Sequence, residues 1–212
     1  MAGAVPSCER ARIATSFLSP PIQVPHVSAS IHDFRTRAVL LALLALAIAG
    51  TRMSHFGSGT LLPDASLAVF FLGGTLLRRW SYFAGLFLLA FVIDLAVAPG
   101  AQETAWCLSP AYWGLLPAYG ALWLAGRALA ARAGSYPLAD SLMLALAGIG
   151  AAFLISNLTW YLASGSIDGL GFGAFWLAVA RYFPPYAGSA LLYLLPAWAA
   201  YRIARLRALQ AN

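Results

Sequence analysis

The sequence predicts an all-α membrane protein, a bundle of six transmembrane helices with a short interfacial helix between the fifth and the sixth. Three observations carry this. Of the 212 residues, 61% are hydrophobic and only 9% are charged, with a mean hydropathy of +0.77. A soluble domain puts about a quarter of its residues into charges. Apolar stretches of helical length recur along the chain, separated by short segments carrying Gly, Pro and charge. The arginines, finally, cluster on alternate connections.

Residues 1–34 form a polar tail with no uninterrupted apolar run before a small-residue cleavage site, so they read as a flexible cytoplasmic tail and not a signal peptide. The transmembrane domain covers 35–207. Its first helix is expected over 36–50. The second, over 65–77, is short and closed by Arg78 and Arg79. The third, over 80–97, stops before Pro99-Gly100, and the fourth spans 110–131. The fifth spans 138–164 and the sixth 186–203, leaving 208–212 as a C-terminal tail. Between the last two helices, 169–183 is aromatic-rich, too short to span, and ended by Pro184-Pro185. It reads as an interfacial or re-entrant helix; promoting it to a span gives a count of seven.

The charges decide between six and seven. With six spans, Arg35, Arg37, Arg78, Arg79, Arg127, Arg132, Arg202, Arg205 and Arg207 share one side. The other side holds Arg52 and Arg181 with Asp64, Glu103 and Asp168. The positive-inside rule then puts both termini in the cytoplasm, and an odd count breaks the pattern. A net charge of +6 and a pI near 9.7 suggest nucleic acid in a soluble protein. Here all thirteen basic residues are arginine, no basic patch has interleaved aromatics, and the charges serve topology. Cys8 and Cys107 fall on opposite sides, so Cys107 is a free thiol.

Small residues Ala38, Ala42, Ala45 and Ala49 line one face of the first helix, a stripe that suits close internal packing or a partner subunit. Chemistry-bearing side chains gather at the outer end of the bundle. His55 follows the first helix, Asp94 stands in the last turn of the third, and Cys107 precedes the fourth. Tyr112 and Trp113 open the fourth helix, Trp160 and Tyr161 close the fifth, and Trp176, Arg181, Tyr182 and Tyr186 lie in or after the interfacial segment. The aromatics also suit a membrane-boundary belt. Asp94 is harder to set aside, since a carboxylate within an apolar helix costs about 2.5–3.5 kcal/mol on insertion and needs a partner. Arg181, the arginine of the interfacial segment, is the expected one. There is no Walker loop, His-Glu-x-x-His or Ser/His/Asp set, and Asn157-Leu158-Thr159 falls inside a helix. A thiolate prefers later transition metals, and one Cys with one His cannot close a four-ligand site. A metal reaching Cys107 should therefore arrive already chelated.

The stretch Leu62-Pro63-Asp64-Ala65-Ser66-Leu67-Ala68-Val69-Phe70-Phe71-Leu72, then Asp94, then Trp106-Cys107-x-Ser109-Pro110-Ala111-Tyr112 and Pro117-Ala118-Tyr119-Gly120 resembles the BtuM family. These are small bacterial cobalamin transporters related to the substrate-binding S-components of energy-coupling factor (ECF) transporters. The resemblance covers about 35–207. It implies a six-helix fold of ECF S-component type in the bacterial inner membrane, with the substrate site near the periplasmic face. It further implies that Cys107 is the axial ligand of cobalamin's cobalt, that Asp94, Tyr112, His55 and Arg181 line the site, and that no other cofactor is needed. The family is associated with removing the upper cyanide of cyanocobalamin, which makes Cys107 a catalytic candidate. Its members can act alone, so the Ala38/Ala42/Ala45/Ala49 face serves an ECF module or none. Two other readings stay open: an S-component for another vitamin or a metal ion, and a membrane redox or assembly protein using Cys107.

Overall fold

The apolar stretches fold as helices throughout. The computed structural model describes residues 34–52, 62–97, 110–132, 136–163 and 171–211, and among these no strand occurs. Seven helices follow in chain order: α1 (Phe34–Arg52), α2 (Ser66–Leu76), α3 (Trp80–Val97), α4 (Leu115–Ala131), α5 (Leu138–Ala163), α6 (Phe172–Ala180) and α7 (Phe183–Gln210). A 3₁₀ turn, Pro110–Gly114, leads into α4.

Three of them, α1, α3 and α5, are long and apolar enough to cross a membrane. Their outward faces carry large apolar side chains, including Leu43, Leu46, Leu88, Val92 and Leu154. Such faces suit acyl chains, not water, and the chain has the character of a membrane protein.

The short second helix has a different role. At 1.5 Å per residue its 11 residues cover only about 16 Å, less than a bilayer core. It is hydrophobic on all sides, and helices of that kind are buried. Nine of its residues are indeed buried, and it touches α1, α3, α4, α5 and α7. It forms the centre of the core, around Phe70, with Trp123 of α4 against it.

Glycines set the closest approach. A Cβ at Gly74 collides with the Trp123 backbone, one at Gly73 with the Trp123 ring, and one at Gly126 with the Phe71 carbonyl. Backbone therefore packs on backbone where α2 meets α4, as small residues allow in membrane bundles. On α1, by contrast, Leu44 and Ile48 are the apolar residues buried against the bundle, with Thr51 and Arg52 buried at its end. Ala45 and Ala49 are half-buried and Ala38 and Ala42 exposed.

α2 stops at a left-handed residue, Arg78, with φ 63°. The amides of Leu77 and Arg78 both donate to the Gly73 carbonyl, at 2.8 and 3.1 Å. That closes the helix and turns the chain straight into α3, which runs over the expected 80–97.

The prolines differ from expectation. Among the described residues of the interfacial segment, Phe172–Ala180 forms a helix of its own, and Pro184-Pro185 does not end it. The two prolines stand in the first turn of α7, where backbone amides have no intrahelical acceptor and proline costs nothing. The last helix is longer than expected at both ends, 28 residues running on to Gln210, with Pro196 inside it. The nine-residue α6 is too short to span and docks through Phe175. The Phe175 ring packs on Trp160 and Tyr161 near the end of α5, at centroid distances of 6.2 and 4.8 Å.

Candidate functional site

Five segments converge where α1 ends. Arg52 is the last residue of α1 and is 5% exposed. Its Nε donates to Asp94 Oδ1 at 2.7 Å and its Nη2 to Asp94 Oδ2 at 2.6 Å. Both carboxylate oxygens of Asp94, near the end of α3, are thus held by the planar guanidinium fork, the strongest arrangement for this pair. Asp94 is 3% exposed, so the pair is withdrawn from solvent.

The remaining guanidinium nitrogen serves three oxygens. Nη1 lies 2.7 Å from Ser66 Oγ, 3.1 Å from the Tyr119 hydroxyl and 3.3 Å from Asp64 Oδ2. Ser66, first residue of α2, donates a hydrogen bond from its hydroxyl to Asp64 Oδ1 at 2.7 Å, and its amide donates to the same oxygen at 2.9 Å. Asp64 therefore satisfies an amide at the start of α2 that the helix cannot. Thr51 Oγ1 does the same for the Ala65 amide at 3.0 Å, stitching the end of α1 to the entry of α2.

Tyr112 completes the cluster. It is buried on the 3₁₀ turn and donates its hydroxyl proton to Asp94 Oδ2 at 2.8 Å, while its ring packs against Phe91 at 5.4 Å. Tyr119 enters from α4 and stacks on Phe70 at 4.3 Å. One arginine faces two aspartates here, in a low-dielectric setting.

The outcome for the expected site residues is mixed. Asp94 and Tyr112 come together. Tyr112 is on the 3₁₀ turn ahead of α4, not in the α-helix itself. Arg181 does not pair with Asp94: it is exposed, donates to the Tyr182 hydroxyl at 2.9 Å and lies 4.9 Å over that ring. Arg52 takes the place expected of it, because it sits at the helix end level with Asp94. His55 and Cys107 lie outside the described residues. Trp113 is exposed, in keeping with a boundary aromatic. The residues missed are Arg52, Asp64, Ser66 and Tyr119. The usable signal was Arg52 itself, one of two basic residues assigned to the same side as Asp94.

Chemically the cluster is a saturated polar anchor. Asp94 already accepts three hydrogen bonds, and among the described residues no group of three or more His, Cys, Asp or Glu could hold a metal ion. Comparison with known proteins gives no matching family model and no matching curated protein.

Proposed function

We propose that the chain takes up cobalamin across the bacterial inner membrane, as a six-span protein of ECF S-component type related to the BtuM family. In this reading both termini are cytoplasmic, the corrinoid binds near the periplasmic face, and Cys107 is the axial ligand of its cobalt. Cobalamin is substrate here, and transport proceeds through an ECF module on the Ala38/Ala42/Ala45/Ala49 face or without one.

The observation that carries the reading is the meeting of Asp94 with Tyr112 at 2.8 Å, locked from the other side by Arg52. Two residues 18 positions apart, both picked out by the resemblance, share one buried hydrogen bond. Tyr112 belongs to the turn that begins three residues after Cys107 in the chain. The anchor therefore fixes the turn that follows Cys107 in the chain. Preorganisation of this kind is what a single-ligand contact to a chelated metal requires. A thiolate is also a fitting donor for cobalt.

The test is a visible spectrum of the purified protein with cyanocobalamin. The wild-type protein should shift the corrinoid bands to a thiolate-ligated form, and the same spectrum reports loss of cyanide. Cys107→Ser should return the free cyanocobalamin spectrum. An identical shift in Cys107→Ser removes cobalt ligation from the reading. Rescue by low cobalamin of a strain deficient in its uptake separates cobalamin from another vitamin or a metal ion as cargo.

A further inference from the structure

The opposite end of the bundle from Asp94 carries a second site. Where α2 ends, a cavity of about 160 Å³ opens between α2, α5 and α7. Phe71, Thr75, Tyr136, Ser141, Leu194 and Trp198 form its walls. An enclosed apolar cavity of about 150 Å³ takes a benzene ring, so this one has room for several carbons of a chain. The Ser141 hydroxyl is buried and has no hydrogen-bond partner among the described residues. Leu138 and Leu195 also line the cavity and are 40% and 44% exposed, which leaves an apolar mouth open to the side.

The rim is cationic. The Arg202 guanidinium lies 5.4 Å over the ring of Trp198, a wall residue. Arg78 stands two residues beyond Leu76, the last residue of α2 and another wall residue. Among the described residues the acidic group at this end, Asp140, is held by Arg132 at 3.1 Å. An apolar slot open sideways beneath arginines that form no ion pair among the described residues complements an amphiphile with an anionic head and a hydrocarbon tail.

We propose that this slot holds several carbons of one acyl chain of an anionic phospholipid, with the lipid phosphate against Arg202 and Arg78. The tail fills the apolar cavity and the headgroup supplies the charge that the rim lacks. A neutral lipid of the same chains fits the slot without satisfying the rim.

Native mass spectrometry of the delipidated full chain in detergent tests this, titrating phosphatidylglycerol against phosphatidylcholine with identical acyl chains. Phosphatidylglycerol should bind about tenfold or more tightly, since arginines near a membrane surface favour an anionic lipid. Arg78→Gln with Arg202→Gln, both on the rim, should bring the two lipids level. Ser141→Phe puts a ring into the cavity at the expense of no hydrogen bond and should remove the tight phosphatidylglycerol binding while the protein keeps its unfolding midpoint. Equal binding of the two lipids by the wild-type chain overturns the proposal. So does a phosphatidylglycerol preference that survives Ser141→Phe, or displacement of the lipid by glycerol phosphate alone, because the headgroup would then bind without the slot.

Discussion

Arg52 and Asp94 form a two-pronged ion pair, Nε to Oδ1 at 2.7 Å and Nη2 to Oδ2 at 2.6 Å, between residues 42 positions apart. The pair ties the end of α1 to the end of α3 in a place with almost no solvent. Withdrawing both charges costs several kcal/mol per ion, which the attraction repays only when geometry is good and the remaining donors are satisfied. Here all three nitrogens of the guanidinium find acceptors. The pair is thus better understood as fixing one arrangement of the helix ends than as a large net source of stability.

The asymmetry of that balance gives the first expected outcome. Arg52→Leu leaves Asp94 buried without its cation and should destabilise the protein by about 3–5 kcal/mol. Adding Asp94→Leu removes the uncompensated charge and should restore much of the loss. Thermal unfolding of the two single variants and the double in detergent, read as a double-mutant cycle, measures the coupling. Additive losses would mean that the two residues do not share an ion pair.

Tyr112 tests the link between this anchor and the turn ahead of α4. Its hydroxyl donates to a carboxylate, and a hydrogen bond to a charged group contributes about 1.5–3 kcal/mol. Tyr112→Phe should lower stability by about that amount while keeping the ring contact with Phe91. In the proposed reading it should also weaken corrinoid binding without abolishing the thiolate-type spectrum, because Tyr112 positions the segment and Cys107 supplies the ligand. Loss of the spectrum together with unchanged stability would contradict that division of roles.

Much of the bundle is legible in the sequence because lipid imposes simple demands. Apolar stretches announce helices, and α3 has its expected bounds because charge and Pro-Gly flank it. Asp94 is legible as a residue in need of a partner for the same reason: a carboxylate among apolar side chains is expensive. The identity of the partner is not legible. An arginine at a helix end looks like a boundary charge, and nothing local says that Arg52 folds back across 42 residues. The Pro184-Pro185 pair misleads because proline stops a helix before it and suits the start of one after it. The burial of α2 is half-visible, since a helix apolar on all sides has no side to show to water, and its Gly73-Gly74 pair marks where α4 comes close.

That close approach carries a third expectation. A Cβ at Gly126 meets the Phe71 carbonyl and the Thr75 amide, neither of which can rotate away. Gly126→Ala should therefore separate α2 from α4, at a cost of at least about 1–3 kcal/mol. Gly150 on α5 has nothing within 4 Å of an added Cβ. Gly150→Ala should stabilise α5 by about 0.5–1 kcal/mol through backbone entropy alone. The two substitutions are chemically the same, so opposite shifts in the unfolding midpoint isolate the packing term. A similar loss in both would place the glycine requirement in the helix and not in the contact.

Arg181 provides the last and sharpest contrast. It is exposed and its guanidinium rests on the neighbouring Tyr182 ring, a contact that costs little to lose at the surface. Arg181→Gln should leave the unfolding midpoint unchanged within about 0.5 kcal/mol, unlike Arg52→Leu. In the proposed reading Arg181 acts on the ligand and not on the fold, so the same variant should weaken cyanocobalamin binding in a titration. A midpoint that falls as far as that of Arg52→Leu would show Arg181 reaching Asp94 after all. An unchanged affinity with an unchanged midpoint would instead remove Arg181 from the binding site and leave the anchor around Arg52 as the part of the outer end that shapes it.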